Sequence, residues 1–200
     1  MTRGEIVGAV AEIRGDAVLV MGPGKSTGAM WQTDHRPASI YNMELAYASP
    51  TALGIALGAP DRRVISLEGD GSLFAGAPGL GTIARQAPAN LTVIVLANGI
   101  WGTSDGTVEV SIPPVKFPEL ATACGWDAAK VRFARTLPEL RAALAATLAE
   151  PGPWFVAAEA ERSDADASVG ADGTLRTRTP APHDLVQSID ATQRYVTERA

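Results

Sequence analysis

Two apolar runs, each ending on an oxygen-bearing side chain and separated by one crossover length of chain, constrain this sequence more than any other feature. Val64, Ile65, Ser66 and Leu67 lead into Gly69-Asp70-Gly71-Ser72, and the apolar run Leu91, Thr92, Val93, Ile94, Val95, Leu96, Ala97 leads into Asn98. Runs this short and apolar read as strands buried on both faces. Parallel strands need a crossover of a dozen or more residues, and the helical stretch between the two runs supplies it, so both deliver their C-terminal ends to one edge of a sheet. Asp70 and Asn98 are then neighbours there. A carboxylate beside an amide oxygen suits a hard cation such as Mg2+, which completes its octahedron with waters and phosphate oxygens. Gly69 and Gly71 admit a ligand close to the backbone, and the helix opening near Ser72 offers unpaired N–H groups to a diphosphate. A Gly-Asp-Gly alone is an ordinary turn; the return strand and Asn98 make it a candidate metal-diphosphate site.

The rest of the chain repeats the strand–helix alternation. Ile6, Val7, Val10 and Ile13 recur at helical spacing, and Gly15-Asp16 breaks that helix before an apolar strand at residues 17–21. The following Gly22-Pro23-Gly24-Lys25-Ser26-Thr27-Gly28 invites a phosphate-loop reading. It fails on spacing, because a Walker loop needs a glycine where Leu19 stands, and the third glycine of the dinucleotide fingerprint is missing. Residues 51–58 form a helix of small residues able to pack close to the sheet. Residues 99–116, rich in Gly, Thr, Ser and Pro, read as a loop over the site. A short helix at 117–124 stops at Gly125, and a strand follows at 131–134. Leu137, Leu140, Leu144 and Leu148 then form a helical core stripe, and residues 154–158 are the last strand. Together these predict an α/β, doubly wound parallel sheet with helices on both faces and its site at the strand C-terminal edge. Residues 1–162 form the binding domain, 163–182 an extended linker of Asp, Ser, Gly, Thr, Arg and Pro, and 183–200 a C-terminal helix with Leu185, Ile189, Thr192 and Val196 on one face.

The motif residues resemble those of thiamine diphosphate enzymes, in which Gly-Asp-Gly is followed at about this interval by Asn. The similarity runs from about residue 16 to 160 and is closest to the small diphosphate-binding subunit of two-subunit sulfopyruvate and phosphonopyruvate decarboxylases. The resemblance implies thiamine diphosphate and Mg2+ as cofactors, with Asp70, Asn98 and the Ile100 backbone carbonyl on the metal. It implies cofactor contacts from Gly69, Gly71, Ser72, Trp101 and Gly102, with Thr103 and Ser104 further along the same loop. Ser26-Thr27-Gly28-Ala29-Met30-Trp31 is similar to the stretch after the first strand in acetolactate synthases and benzoylformate decarboxylases, which makes Thr27, the Gly28 backbone and Ser26 diphosphate candidates. Glu44-Leu45-Ala46 falls where relatives carry Gly, a large aliphatic residue and Gly, so Leu45 is the candidate wedge that holds the cofactor in its V conformation. Glu44 departs from that pattern; its segment also resembles the one bearing the activating glutamate of the companion pyrimidine domain, but its position before the helix leading to Gly69 argues for a structural or substrate-facing carboxylate. Lys25, His35 and Arg36 either sit solvated or receive an anionic substrate tail.

The resemblance also implies a missing half. The activating glutamate belongs to a pyrimidine domain, for which 200 residues occupied by one domain leave no room. The expectation is a hetero-oligomer, α2β2 or larger, in which a partner subunit completes the site of a lyase that decarboxylates a small 2-oxo acid. A carboligase subunit of acetolactate synthase type and a non-catalytic cofactor-binding module are the alternatives. Composition sets the outer limits: 46% apolar and 20% charged residues are ordinary for one globular domain, and a net charge of −5 with no basic cluster argues against nucleic-acid binding. Cys124 alone cannot form an internal disulfide or ligate an iron–sulfur cluster, and its small, apolar helical setting points to a buried thiol. No apolar window approaches a membrane span, so the reading is a cytoplasmic protein off the membrane.

Overall fold

The computed structural model describes residues 1–102, 108–162 and 185–198. Six strands, β1 (Val18–Met21), β2 (Ser39–Ile40), β3 (Val64–Gly69), β4 (Leu91–Ala97), β5 (Val131–Ala134) and β6 (Trp154–Glu159), form one sheet in the order β2-β1-β3-β4-β6-β5, every pair parallel. The helices are α1 (Arg3–Arg14), α2 (Lys25–Asp34), α3 (Ala48–Gly58), α4 (Asp70–Ala75), α5 (Pro78–Gln86), α6 (Phe117–Ala123), α7 (Leu137–Ala149) and α8 (Leu185–Thr197).

The apolar strand runs follow from covering both sheet faces. Successive strand residues point to opposite sides, so in β4 Leu91, Val93 and Val95 join the core under α3, α5 and α6, while Ile94 and Leu96 join the core under α1, α2 and α7. Val18 and Val20 against Leu19 and Met21 divide β1 the same way. The doubly wound architecture is therefore as expected.

Several local readings change. The single helical stretch between β3 and β4 is two helices, α4 and α5, and β2 was not anticipated. In α7 the buried side is Leu140, Ala143, Leu144 and Thr147, and Leu148 is half exposed. Each step of four advances about 40° beyond a full turn, so two consecutive steps from Leu140 bring Leu148 about 80° round and out of the core. In α8 the buried residues are Ser188 and Thr192, whereas Ile189 faces outward. Ser188 Oγ accepts the Tyr41 N–H at 3.2 Å, which ties α8 to the end of the edge strand β2. Cys124 is half-buried at the end of α6 rather than enclosed. The proposed linker lies outside the described residues, as do Thr103 and Ser104. No helix among the described residues is long and apolar enough to cross a membrane.

Candidate functional site

The loops after β1, β3 and β4 converge on one cavity at the C-terminal edge of the sheet, beside the point where strand order reverses about β1. Its lining includes Lys25 and Ser26 from the first loop, residues 69–72 from the second, Asn98, Ile100, Trp101 and Gly102 from the third, and Leu45. Register explains the convergence. Gly69 pairs with Leu96 across β3 and β4, so Asp70 and Asn98 leave the sheet one and two residues later on adjacent strands.

Asp70 opens α4 and is 2% exposed. Its Oδ1 accepts the Gly71 N–H at 2.9 Å, and its Oδ2 accepts the Gly99 N–H at 2.5 Å, so the carboxylate bridges the two strand ends. Burial nevertheless dominates these donors and pushes its pKa up to about 6. Asn98 Oδ1 accepts the Ile100 N–H at 3.2 Å, turning the chain back at the cavity. Residues 99–101 then pair with 108–110: Trp101 N–H donates to Val108 O at 2.8 Å, and Val110 N–H to Gly99 O at 3.0 Å. Arg162 secures this ribbon from behind, donating to Asn98 O at 3.2 Å and to the Glu109 carboxylate at 3.0 Å. The Trp101 indole lies directly on Gly71, where a Cβ would fall 2.8 Å from the ring. Only glycine allows that contact.

Leu45 projects from a turn between β2 and α3 and remains 39% exposed at the cavity. Ala46, at a position where the resemblance places glycine, holds a left-handed φ of 74°. Glu44 is exposed and does not line the cavity. The loop after β1 departs further from expectation. Helix α2 already begins at Lys25, so Ser26 and Lys25 face the cavity, while Thr27 and Gly28 are buried within the helix and do not line it. Thr27 Oγ1 is spent on Gly22 O at 2.9 Å, closing the loop. His35, a candidate for an anionic substrate tail, does not line the cavity. It caps the far end of α2, stacks on Trp31 and pairs with the Tyr41 hydroxyl at 3.0 Å, because α2 runs away from the site edge. Arg36, beside it, pairs with Asp34.

Two site neighbours carried no recognised signal. Arg3, in the first turn of α1, lines the cavity, and burial lowers its pKa. Glu68, 1% exposed beneath the loops, accepts Ser72 Oγ–H at 2.6 Å and Ser49 N–H at 3.2 Å, and burial raises its pKa. A carboxylate inside an apolar strand one step before Gly69 is the signal that could have marked it.

The model of the family described as thiamine pyrophosphate enzyme, C-terminal TPP binding domain, matches residues 22–158. The chain belongs to this family. Its relatives include a phosphonopyruvate decarboxylase of Streptomyces viridochromogenes, 36% identical over 148 residues that make up 74% of this chain and 36% of the relative. The subunit beta of sulfopyruvate decarboxylase from Methanothermobacter thermautotrophicus is 28% identical over 84% of this chain and 87% of its own length. Among solved structures, the 4-hydroxybenzoylformate decarboxylase of Rhodococcus jostii RHA1 superposes with a TM-score of 0.68 at 24% identity, covering 82% of this chain and 33% of that one, which shows a shared fold. The chain thus spans about a third of the length of the first of these relatives.

As a member of the family the domain takes thiamine diphosphate, and the residues present fit it. The N-termini of α2 and α4 reach the cavity, neither with a side-chain bond from its N-cap residue, and apart from the Gly71 and Thr27 N–H groups, taken by Asp70 Oδ1 and Gly24 O, their first-turn backbone N–H groups suit a diphosphate. The buried Asp70 carboxylate carries a desolvation cost that a divalent cation offsets. With one carboxylate and amide and carbonyl oxygens, the donor set is hard, and among the described residues no cluster of three His, Cys, Asp or Glu offers an alternative metal centre.

Proposed function

We propose that this chain is the diphosphate-binding subunit of a heteromeric thiamine diphosphate-dependent 2-oxo acid decarboxylase, with a sulfo- or phosphono-substituted 2-oxo acid as the substrate class. The observation that carries this reading is coverage. The chain aligns along 87% of a relative named as a subunit in its own right. A separate pyrimidine-domain subunit then completes the site and brings the activating glutamate, for which Glu44, exposed and off the cavity, is no substitute.

In this reading the side chains of Asp70 and Asn98 and the Ile100 carbonyl would hold Mg2+, and backbone N–H groups at the starts of α2 and α4 would hold the diphosphate. The cofactor supplies carbanion stabilisation when bound. This chain's residues would orient it: Leu45, at the cavity wall, would press against it, and Trp101, seated on Gly71, would close one wall against water. Lys25 and Arg3 give the cavity mouth a positive potential suited to anionic groups.

Calorimetric titration with thiamine diphosphate, with and without Mg2+ and a co-expressed pyrimidine-domain subunit, tests the assignment. Mg2+-dependent binding that tightens with the subunit, followed by CO2 release from sulfopyruvate or phosphonopyruvate, is the expected result. No binding under any condition overturns it in favour of a module without catalysis. A second reading, carboligation, draws on a putative acetolactate synthase large subunit of Mycobacterium tuberculosis that is 32% identical over 56% of this chain. A condensed product on adding an aldehyde favours that reading.

A further inference from the structure

Glu68 does not line the cavity, yet one of its carboxylate oxygens reaches α4, which does, and the other reaches α3, which follows the turn that carries Leu45. It sits near the end of β3 on the side that Val64 shares with α3. One oxygen accepts the Ser49 N–H at 3.2 Å in the first turn of α3; the other accepts Ser72 Oγ–H at 2.6 Å in α4. With its proton so directed, Ser72 Oγ presents a lone pair to the Ala46 N–H at 3.1 Å. Ala46 is the residue held at φ 74°, a conformation that a side-chain-bearing residue disfavours and that surrounding contacts must impose. The other flank of the turn rests on Gly76 at the end of α4, where a Cβ would fall 2.6 Å from Ala46 O. Leu45, the preceding residue, is thereby fixed relative to the helix that Asp70 opens.

We propose that Glu68 is a positioning residue of the cofactor site, acting through Ser72 Oγ to hold the Ala46 turn and so to set the height of Leu45 above the metal-diphosphate anchor. The proposal rests on the thiamine diphosphate assignment for its consequence, though not for its geometry. It also changes the part played by Ser72. The side-chain hydroxyl is committed to Glu68 and Ala46, which leaves the backbone of that residue for a diphosphate. A carboxylate suits the position because both of its oxygens accept; a glutamine must turn an N–H2 toward one of two donors.

Two arms test this with Ser72→Ala and Glu68→Gln. In the chain alone, without cofactor, amide exchange at Ala46 is expected to speed up about tenfold or more in both variants, the loss of one hydrogen bond, while exchange in β4 stays unchanged. In the complex with the pyrimidine-domain subunit, kcat falls about tenfold while the thiamine diphosphate Kd stays within about threefold, and Ser72→Ala combined with Leu45→Ala is no slower than Leu45→Ala alone. Unchanged exchange at Ala46, or effects of Ser72→Ala and Leu45→Ala that multiply, overturns the proposal. If the wild-type complex binds no thiamine diphosphate, the functional assignment falls, and the exchange arm still decides whether Glu68 holds the turn.

Discussion

Replacing Asp70 by Asn separates what the buried carboxylate costs the fold from what it does for the proposed Mg2+ ligand set. Burial raises its pKa from 3.8 to about 6, against the pull of the Gly99 and Gly71 N–H groups. The folded chain therefore keeps this proton to a higher pH than the unfolded chain. Between about pH 4 and pH 6 the folded form binds more protons, so the stability of the metal-free chain falls as pH rises through that window and levels off above it. A shift of about two units at about 1.36 kcal/mol each makes the change ~3 kcal/mol. Glu68 is also raised by burial and adds a slope of the same sign, so the wild type alone does not isolate Asp70. The difference between wild type and Asp70→Asn does, since Asn keeps the volume and one acceptor oxygen and loses the titration. Urea unfolding from about pH 4.5 to 8, followed by fluorescence of the buried Trp126 and Trp154, measures that difference. Saturating Mg2+ and thiamine diphosphate invert the wild-type sign: the metal takes the ionised form, so ligand stabilisation grows with pH through about 6 and is absent from the variant. A wild-type minus variant difference that is flat with pH, or Mg2+-dependent binding that survives Asp70→Asn at full affinity, refutes the reasoning.

Gly71→Ala places a Cβ 2.8 Å from the Trp101 ring, and displacing that ring is expected to weaken thiamine diphosphate binding about tenfold or more, read by calorimetry, at an overpacking cost of ~1–3 kcal/mol. Ser66 is fully buried in β3, and its Oγ has no hydrogen-bond partner among the described residues. Ser66→Ala removes that stranded hydroxyl and should raise stability by ~1 kcal/mol, an increase of about 2–4 °C in Tm by calorimetric scan. Ser188→Ala leaves the buried Tyr41 N–H without its acceptor and should cost ~1–2 kcal/mol, with faster amide exchange at Tyr41 as its local signature.

The elements that the sequence made legible are those whose burial is a property of the strand itself. Runs such as residues 91–97 are apolar at every position because helices cover both faces, and no partner needs to be known to see it. Strand β2 escapes that logic. It has two residues, and its place at the sheet edge is held by Arg14, whose guanidinium, fully buried, donates to Ala38 O at 3.1 Å and Ser39 Oγ at 2.8 Å. That contact spans some two dozen residues and leaves no periodic trace. Helix α8 packs Leu185, Thr192 and Val196 inward as its spacing predicts, but Ile189 is more than a third exposed, and the Ser188 hydroxyl, which the apolar pattern does not mark, ties the helix to the sheet edge.

The site divides along the same line. Asp70 and Asn98 could be brought together from spacing alone, since parallel strands of adjacent register must end side by side. Thr27 and Gly28 lie in the first turn of α2, buried and off the cavity lining, while His35 is carried to the far end of that helix; all three placements turn on where α2 starts, at Lys25, which no sequence signal marks. Glu68 is the more instructive omission. It and Ser66 are two polar residues on the same face of one buried strand, yet they differ in what burial costs. A stranded hydroxyl costs ~1–3 kcal/mol and is tolerated in Ser66, whereas an ionisable carboxylate costs several times that unless neighbours satisfy it. Glu68 has both oxygens satisfied, by Ser49 in the helix after the Leu45 turn and by Ser72 in the helix that Asp70 opens. A carboxylate inside a buried strand thus demands donors from beyond the strand, and its position one residue before the Gly69-Asp70-Gly71 turn says where those donors must come from.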